Sequence, residues 1–211
     1  MKFDTQDIIS RLRIELNNPL PGKKAHSKVL PAEKPLDPAT GLNINQAGVL
    51  LLLFPDKNKL NTVFIRRPSF MKNHAGQIAF PGGQFELKDK DLMETALREA
   101  VEEIGINAGQ VEIIGRLSPI YVKVSNFFIQ PFIGWSPIIP AFQIDTNEVT
   151  GIHIIPVDDF VNPETLQSQK VDTALGFNEF PGYLIDDIFI WGATAMILSE
   201  FIEVYNRISV E

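Results

Sequence analysis

The sequence contains no cysteine, which excludes disulfide bonds, thiolate catalysis and zinc sites built on cysteine. It also lacks any basic run, and its net charge is −7 at pH 7, so the basic face typical of a nucleic-acid-binding protein is not expected. The longest apolar run, residues 47–55, is too short to cross a bilayer, and the charged N-terminal segment lacks the apolar core of a signal peptide. We therefore expect a cytoplasmic protein that binds neither nucleic acid nor membranes.

The chain has 211 residues, of which 45% are hydrophobic and 21% charged, as in a globular protein with one large domain and a terminal extension. Apolar residues at helical spacing in residues 3–16 predict an amphipathic helix. Residues 18–44 are rich in Pro, Lys, Gly and Ala, which predicts an arm with little regular structure that packs on its own domain or on the partner subunit of a homodimer. We therefore divide the chain into an N-terminal helix and extended arm, residues 1–44, and a main domain, residues 45–211.

Strand-like segments dominate the middle of the chain. The continuous aliphatic run 47–54 predicts a strand buried on both faces, and together with residues 61–67 it predicts a hairpin. This mixture of strands and helices favours an α/β (α+β) fold, in which a sheet packs against helices on each side. The other predicted strands are residues 110–117, 127–135 and 148–156, and the predicted helices are residues 91–104, 157–162 and 190–206.

Three glutamates lie close together in the predicted helix 91–104. Glu99, Glu102 and Glu103 are three and four residues apart, so they share one face of the helix. Gly105 follows the last helical residue, as a C-capping glycine often does. The opposite side of the helix is expected to be buried, and it carries Met93, Ala96, Leu97, Ala100 and Ile104.

Two explanations of this acidic face stay open when the helix is considered alone. The like charges repel one another, and no lysine follows Glu99 or Glu102 by four residues to offset them. A hard divalent cation such as Mg²⁺ would turn the repulsion into attraction, because it prefers oxygen ligands. A solvated acidic face is, however, the more common reason for such a cluster.

Residues on either side of the glutamates favour the metal site. After Gly83 and fourteen further residues comes the string Arg98-Glu99-Ala100-Val101-Glu102-Glu103-Ile104-Gly105-Ile106. This pattern resembles the Nudix box, whose form is Gly, five residues, Glu, seven residues, then Arg-Glu-aliphatic-x-Glu-Glu-x-Gly-aliphatic. The spacing here is one residue longer, so the first family glutamate falls on Asp89 when counted from Gly83 and on Lys90 when counted from Arg98.

The segment before the box, residues 67–83, is similar to the signature of the coenzyme A pyrophosphatase branch of the Nudix family. The longer box is also typical of this branch, and the resemblance extends over residues 45–205. The matching residues are Arg67, Gly76 and Phe80-Pro81-Gly82-Gly83, and the departures are Lys72 for the second arginine, Pro68 for a small residue, and residues 63–65 for Leu-Leu-Thr.

The resemblance implies a Nudix fold, which is a mixed β-sheet sandwiched between α-helices. It also implies hydrolysis of a pyrophosphate bond in a nucleoside diphosphate derivative, with Mg²⁺ or Mn²⁺ as the cofactor. In the coenzyme A branch, coenzyme A or acyl-CoA yields 3′,5′-ADP and 4′-phosphopantetheine or its acyl form. Divalent ions suit this reaction because they neutralise the phosphate oxygens and lower the pKa of water.

The resemblance also implies roles for the box residues. Glu99 and Glu103 would be the main metal ligands, and Glu102 a further ligand or a contact through water. Arg98 is expected to point away from Glu102 and to orient a box carboxylate or carbonyl. The candidates for a general base are the box glutamates Glu102 and Glu103, or Glu148 in a later loop, for which a solvated acid is the ordinary alternative.

Five residues of the signature segment are candidates for substrate binding. Arg67 and Lys72 are candidates for the substrate phosphates, and His74 lies in the same loop. The ordinary alternatives are a surface salt bridge for Arg67, a solvated Lys72 and a hydrogen-bonded loop His74. Gly82 and Gly83 allow a tight loop that a side chain would obstruct.

Two other functions stay open. The departures from the signature would also fit a Nudix pyrophosphatase that acts on ADP-ribose or a dinucleotide. A Nudix-fold binding module without catalysis would usually lack box glutamates, and all three are present here. Outside the box, Trp191 and Phe70 are aromatic residues available to an adenine, although the spacing around Trp191 favours core packing, and His153 is expected to be structural because it lies in an apolar run.

Overall fold

The computed structural model describes residues 5–30, 44–68, 76–173 and 176–209. Two predicted substrate-binding residues, Lys72 and His74, lie outside the described residues, as does Phe70. Within the described ranges, no helix has the length and apolar character needed to span a membrane.

The described elements alternate between strands and helices. The helices are α1 (Thr5–Glu15), α2 (Lys23–His26), α3 (Leu92–Ile104) and α4 (Gly192–Ser209), with short 3₁₀ turns at Ser27–Val29, Ala108–Gln110, Val157–Phe160 and Pro163–Thr165. The strands are β1 (Asn45–Asp56), β2 (Lys59–Arg66), β3 (Ile78–Ala79), β4 (Gly82–Gln84), β5 (Glu112–Arg116), β6 (Ile120–Val122), β7 (Phe127–Trp135), β8 (Gly151–Pro156), β9 (Leu166–Thr173), β10 (Gly176–Ile185) and β11 (Ile188–Trp191).

The strands form two sheets. The larger one has eight strands with the central order β3-β2-β1-β7-β5, and β4, β6 and β8 pair with β1, β7 and β2. The pair β1–β7 is parallel, whereas the other pairs of this sheet are antiparallel. The smaller sheet has three antiparallel strands in the order β11-β10-β9.

The predicted hairpin is confirmed. Strands β1 and β2 pair from Leu53↔Thr62 to Asp56↔Lys59. The two residues between them, Lys57 and Asn58, have φ angles of 50° and 60°. Positive φ at both central positions is typical of a type I′ turn, whose twist matches that of the flanking strands.

The larger sheet is covered on both sides, which confirms the predicted mixed sheet between helices. Side chains alternate along a strand, so neighbouring residues of β1 and β2 face opposite layers. On the side we call the box face, Leu50, Leu52, Val63 and Ile65 pack with Ala96 and Ala100 of α3. On the side we call the arm face, Leu51, Leu53 and Phe64 pack with residues of α1 and α4, including Leu12 and Phe201.

The buried side of α3 is rotated about the helix axis relative to the expected one. Ala96, Ala100 and Ile104 are buried as expected, but Met93 is 37% exposed. The helix turns its buried side towards Thr95 and Glu103, which leaves Met93 at the edge of the contact.

The N-terminal region packs on the arm face. Residues 18–30 are less irregular than expected, because they include α2 and a 3₁₀ turn. Both are anchored on α4, where the Ser199 hydroxyl donates to the backbone oxygen of Ala25 at 2.9 Å. This part of the arm therefore packs against its own chain.

Candidate active site

Helix α3 is fixed at both ends by capping residues. The side chain of Asp91 accepts hydrogen bonds of 2.9 Å from the backbone N–H groups of Met93 and Glu94, as an N-cap does. At the other end Gly105 has a φ of 67°, and its N–H donates to the carbonyl of Val101. The predicted C-cap is therefore confirmed, and the glutamates lie on a helix with defined ends.

Arg98 binds several carboxylates at once. Its Nε and Nη2 donate to the two oxygens of Asp89 at 2.8 and 3.0 Å. Its Nη1 donates to Glu99 and to Glu102, both at 2.8 Å. The expectation that Arg98 points away from Glu102 is wrong, because residues four apart lie on the same helix face. Arg98 thus ties Glu99 and Glu102 to the preceding loop, where it also donates to the Gln84 carbonyl.

The missing first glutamate of the box is replaced by Asp89. This side chain is buried, and besides the Arg98 bonds it accepts from the Glu86 N–H at 3.0 Å and the Thr95 hydroxyl at 2.9 Å. The bonds from Arg98 hold the pKa of Asp89 well below its usual range. Lys90, the residue reached by counting backwards, has an 87% exposed side chain. Counting from Gly83 therefore identifies the residue that binds Arg98.

Glu103 is buried rather than solvent-facing. It is 4% exposed, and one carboxylate oxygen accepts a 2.9 Å hydrogen bond from the N–H of Gly82. Burial raises the pKa of Glu103 to about 8, and the charges of Glu99 and Glu148 add to the rise, although the Gly82 bond and Arg67 oppose it. A cation beside this carboxylate would therefore be strongly favoured.

Glu99 lies against the glycine pair of the loop. A Cβ atom at Gly83 would lie 2.3 Å from the carboxyl carbon of Glu99, so the carboxylate occupies space that only glycine leaves open. Burial raises the pKa of Glu99; Arg98 opposes this rise, and the charges of Glu102 and Glu148 add to it. The Phe-Pro-Gly-Gly loop thus meets both Glu99 and Glu103 of α3, at Gly83 and Gly82.

Glu148 acts on the box glutamates from another part of the chain. Its loop docks on the end of α3, where the Asp145 N–H donates to the backbone oxygen of Glu103 at 3.1 Å. The charge of Glu148 raises the pKa of both Glu99 and Glu103. The structure therefore brings the candidate base together with the box glutamates, 45 residues away from Glu103 in sequence.

Arg67 is a second cation, besides Arg98, whose charge acts on the box glutamates. Its charge lowers the pKa of Glu103. Its Nε is buried and, within the described residues, has no hydrogen-bond partner. A buried guanidinium donor without an acceptor is costly, and an anionic ligand would satisfy it.

The donor set fits a hard divalent cation. Within the described residues, no three Asp, Glu or His side chains already converge on one point. Burial is the main cause of the raised pKa values of Glu99 and Glu103, and the charge of Glu148 raises both further, so a cation among these carboxylates would be favoured. Carboxylate oxygens are the ligands that Mg²⁺ and Mn²⁺ prefer.

Comparison with known proteins identifies the family of the chain. The NUDIX domain family model matches residues 44–174. The protein named "Uncharacterized Nudix hydrolase NudL" of Yersinia enterocolitica is 34% identical over 181 residues, which cover 82% of this chain and 88% of the relative. The protein of that name from Yersinia pestis is 33% identical over 156 residues, which cover 73% and 77%.

Among solved structures, a Nudix hydrolase from M. smegmatis, RenU, has the same fold. Its TM-score is 0.52 at 14% identity, over 85% of this chain and 96% of that chain. The chain belongs to the Nudix hydrolase family.

Proposed function

We propose that this Nudix hydrolase cuts the pyrophosphate bond of coenzyme A or acyl-CoA in the cytoplasm, with Mg²⁺ or Mn²⁺. The products would be 3′,5′-ADP and 4′-phosphopantetheine or its acyl form. The observation that carries the proposal concerns Arg67, the first residue of the coenzyme A signature. Its charge lowers the pKa of Glu103, and its buried Nε has no hydrogen-bond partner among the described residues. An anionic diphosphate would supply the missing acceptor.

The box residues would bind and orient the cofactor. Glu99 and Glu103 would hold the metal ion, with Glu102 as a further ligand or a contact through water. Arg98 would orient Glu99 and Glu102, to which it donates. When bound, the divalent ion supplies charge neutralisation and a more acidic water molecule.

Glu148 is our proposed general base, ahead of Glu102 and Glu103. Glu148 is exposed, so water reaches its side chain. Its charge raises the pKa of Glu99 and of Glu103. Glu102 is instead engaged by Arg98, and Glu103 by the Gly82 N–H. A base must lie within reach of the water that it deprotonates, and Glu148 meets this need best.

The remaining signature residues would hold the substrate. Gly82 and Gly83 would let a phosphate approach the loop closely. Lys72 and His74 lie in the same signature loop, and we propose them as further phosphate or ribose contacts. The homodimer expected from the N-terminal arm also stays a proposal, and size-exclusion chromatography with light scattering tests it.

One assay tests the proposed reaction. The purified protein is incubated with Mg²⁺ or Mn²⁺ and coenzyme A, ADP-ribose or NADH, and the products are identified by mass spectrometry. We expect 3′,5′-ADP from coenzyme A. The departures Lys72, Pro68 and residues 63–65 keep a second candidate open, a pyrophosphatase acting on ADP-ribose or a dinucleotide. That candidate would be correct if coenzyme A stayed intact while another compound was cut. No turnover of any compound would indicate a non-catalytic binding module.

The variant Glu103→Gln is the control for the metal site. Metal coordination contributes several kcal/mol to catalysis, so we expect roughly a 100-fold loss of activity or more. The amide keeps the size of the side chain and can still accept from the Gly82 N–H, so the fold should survive, as circular dichroism would show. Full activity of Glu103→Gln would disprove the metal assignment.

A further inference from the structure

A cleft on the arm face lies where the two sheets meet. Its volume is about 320 Å³, near the lower end of known ligand pockets. It is lined by the end of β2, by β3, and by residues of β9 and β11, the two outer strands of the three-stranded sheet. The side chains that matter for its chemistry are Arg66, Lys170, Asp172, Asp187, Phe189 and Trp191.

Arg66 and Arg67, which are adjacent in sequence, show that this cleft and the box glutamates lie on opposite faces of the larger sheet. Side chains of adjacent residues in an extended strand point to opposite faces of the sheet. The charge of Arg67 lowers the pKa of Glu103, so Arg67 lies on the box face. Arg66 lines the cleft, on the same side as Phe64, which packs in the arm-face core. The cleft is therefore a place distinct from the proposed catalytic site.

Strand β11 supplies the aromatic wall of the cleft. Phe189 and Trp191 are two residues apart, so both face the same side of this strand. Trp191 is half-buried rather than part of the core, and its ring packs at 4.7 Å against Phe180. A flat apolar ring held by a neighbouring ring is a surface on which a planar ligand stacks.

Charged side chains of both signs line the cleft. Arg66, Lys170, Asp172 and Asp187 form no ion pair with any described residue. His153 of β8 pairs with Phe64 of β2 and lies close to these charges. Burial and the charge of Arg66 lower the pKa of His153, and the charge of Asp187 opposes this shift. Its Nε2 is buried without a hydrogen-bond partner among the described residues, so the expected purely structural role leaves this atom unexplained.

We propose that this cleft binds an adenine nucleotide, with the purine stacked on Trp191. A ligand of one charge sign would leave half of the charged groups unsatisfied. A purine edge carries both a donor and acceptors, which suit Asp172 or Asp187 and a cationic donor, while a phosphate suits Arg66 and Lys170. The nucleotide is either a free molecule or the adenosine end of a substrate.

The test is a titration of the full chain with AMP in the presence of EDTA, by calorimetry and tryptophan fluorescence. The other tryptophan, Trp135, is 4% exposed, so quenching reports on Trp191. We expect saturable binding of one AMP with quenching, and binding of ribose 5-phosphate at least about tenfold weaker, because it lacks the stacking base.

Variants of the two adjacent arginines locate the site. Arg66→Ala should weaken AMP binding about tenfold or more, because it removes a charge-assisted contact, and Arg67→Ala should leave it unchanged. Asp187→Asn, a change in an exposed turn, should weaken binding without affecting the fold. If Arg66→Ala also raises KM for a hydrolysed nucleotide, the ligand is the substrate's adenosine; an unchanged KM indicates a free nucleotide. Absence of saturable AMP binding, or an equal effect of Arg67→Ala, would overturn the proposal.

Discussion

Gly83 and Gly48 each lie where an added side chain would collide with α3, but the obstructing atoms differ. A Cβ atom at Gly83 would lie 2.3 Å from the carboxyl carbon of Glu99, at the free end of a flexible side chain. A Cβ atom at Gly48 would lie 2.1 Å from the backbone oxygen of Leu92. A side-chain end can rotate away, whereas a helix backbone has to shift against a close-packed core.

We therefore expect Gly83→Ala to lower mainly the activity and Gly48→Ala to lower mainly the stability of the fold. Gly83→Ala should change the free energy of unfolding by less than about 1 kcal/mol. It should lower activity by roughly 100-fold, because a displaced Glu99 carboxylate no longer holds the cofactor in place. Gly48→Ala should instead destabilise the fold by about 2–3 kcal/mol. Urea denaturation and rate assays of both variants test this, and an equal loss of stability would contradict it.

Helical spacing predicts which residues of α3 share a face, but it does not predict which of them are buried by other segments. The spacing placed Glu99 and Glu102 on one face, and the same rule should have placed Arg98 beside Glu102. The burial of Glu103 was not predictable, because it depends on a loop that folds over the helix and donates from Gly82. The contact between Arg98 and Asp89 likewise depends on the path of that loop.

At the scale of elements, one buried carboxylate joins α4 to two distant segments. Glu200 is fully buried, and it accepts from the Gly22 N–H at 2.9 Å, from His26 Nε2 at 3.0 Å and from the Ser118 hydroxyl at 2.6 Å. Burial raises the pKa of Glu200, but the hydrogen bonds from His26 and Ser118 outweigh it, so that the pKa is lowered. The carboxylate therefore holds the start of α2 and the segment between β5 and β6 against α4.

This pKa shift predicts how stability depends on pH. Because the folded pKa lies below the unfolded value of about 4.3, the charge of Glu200 stabilises the fold above that pH. The contribution is lost as the pH falls through the folded pKa. We expect Glu200→Gln to lower the free energy of unfolding by about 3 kcal/mol at pH 7.

Urea denaturation from pH 7 to pH 3 measures this contribution, because the charge of Glu200 stops stabilising the fold only below the unfolded pKa of about 4.3. The deficit of Glu200→Gln relative to the unaltered chain should shrink towards the acid end. Glu164→Gln, at an exposed position, is the matched control and should cost less than about 0.5 kcal/mol at every pH. A deficit that stayed constant, or grew, with acidification would contradict the role of the charge.

Whole elements were predicted well where their residues are buried in a regular pattern. The apolar run 127–135 became β7 (Phe127–Trp135) without any shift in its ends. The three-stranded sheet was missed, because β9 exposes most of its residues and shows no apolar alternation. Such a strand is held mainly by hydrogen bonding to β10, and that pairing partner is not visible in its own sequence.

At the scale of the whole molecule, the boundary drawn at residue 45 runs through one hydrophobic core. Ile9, Leu12 and Leu16 of the N-terminal helix and Val29 after α2 belong to the same buried cluster as Phe201 of α4. The composition of residues 18–44 predicts an arm that packs on its own domain or on a partner subunit, but it does not show which of its few apolar residues enter the core. Residues 5–30 are therefore expected to be needed for the stability of the main domain.

A shortened chain of residues 45–211 tests this expectation. Fully burying one large apolar side chain contributes about 1.5–3 kcal/mol. Losing several of them removes an amount comparable with the whole free energy of unfolding of a domain, about 5–15 kcal/mol. We expect the shortened chain to lack a cooperative thermal transition and near-ultraviolet circular dichroism.

Two point variants of helix α1 keep the test decisive if the shortened chain aggregates. Leu12 is fully buried and Ile14 is 69% exposed, so the two differ in burial within one helix. Leu12→Ala should lower the free energy of unfolding by about 2–5 kcal/mol, and Ile14→Ala by less than about 0.5 kcal/mol. If both variants unfolded at the same urea concentration as the unaltered chain, the N-terminal helix would rest on the domain without stabilising it. The stabilising core would then begin at β1.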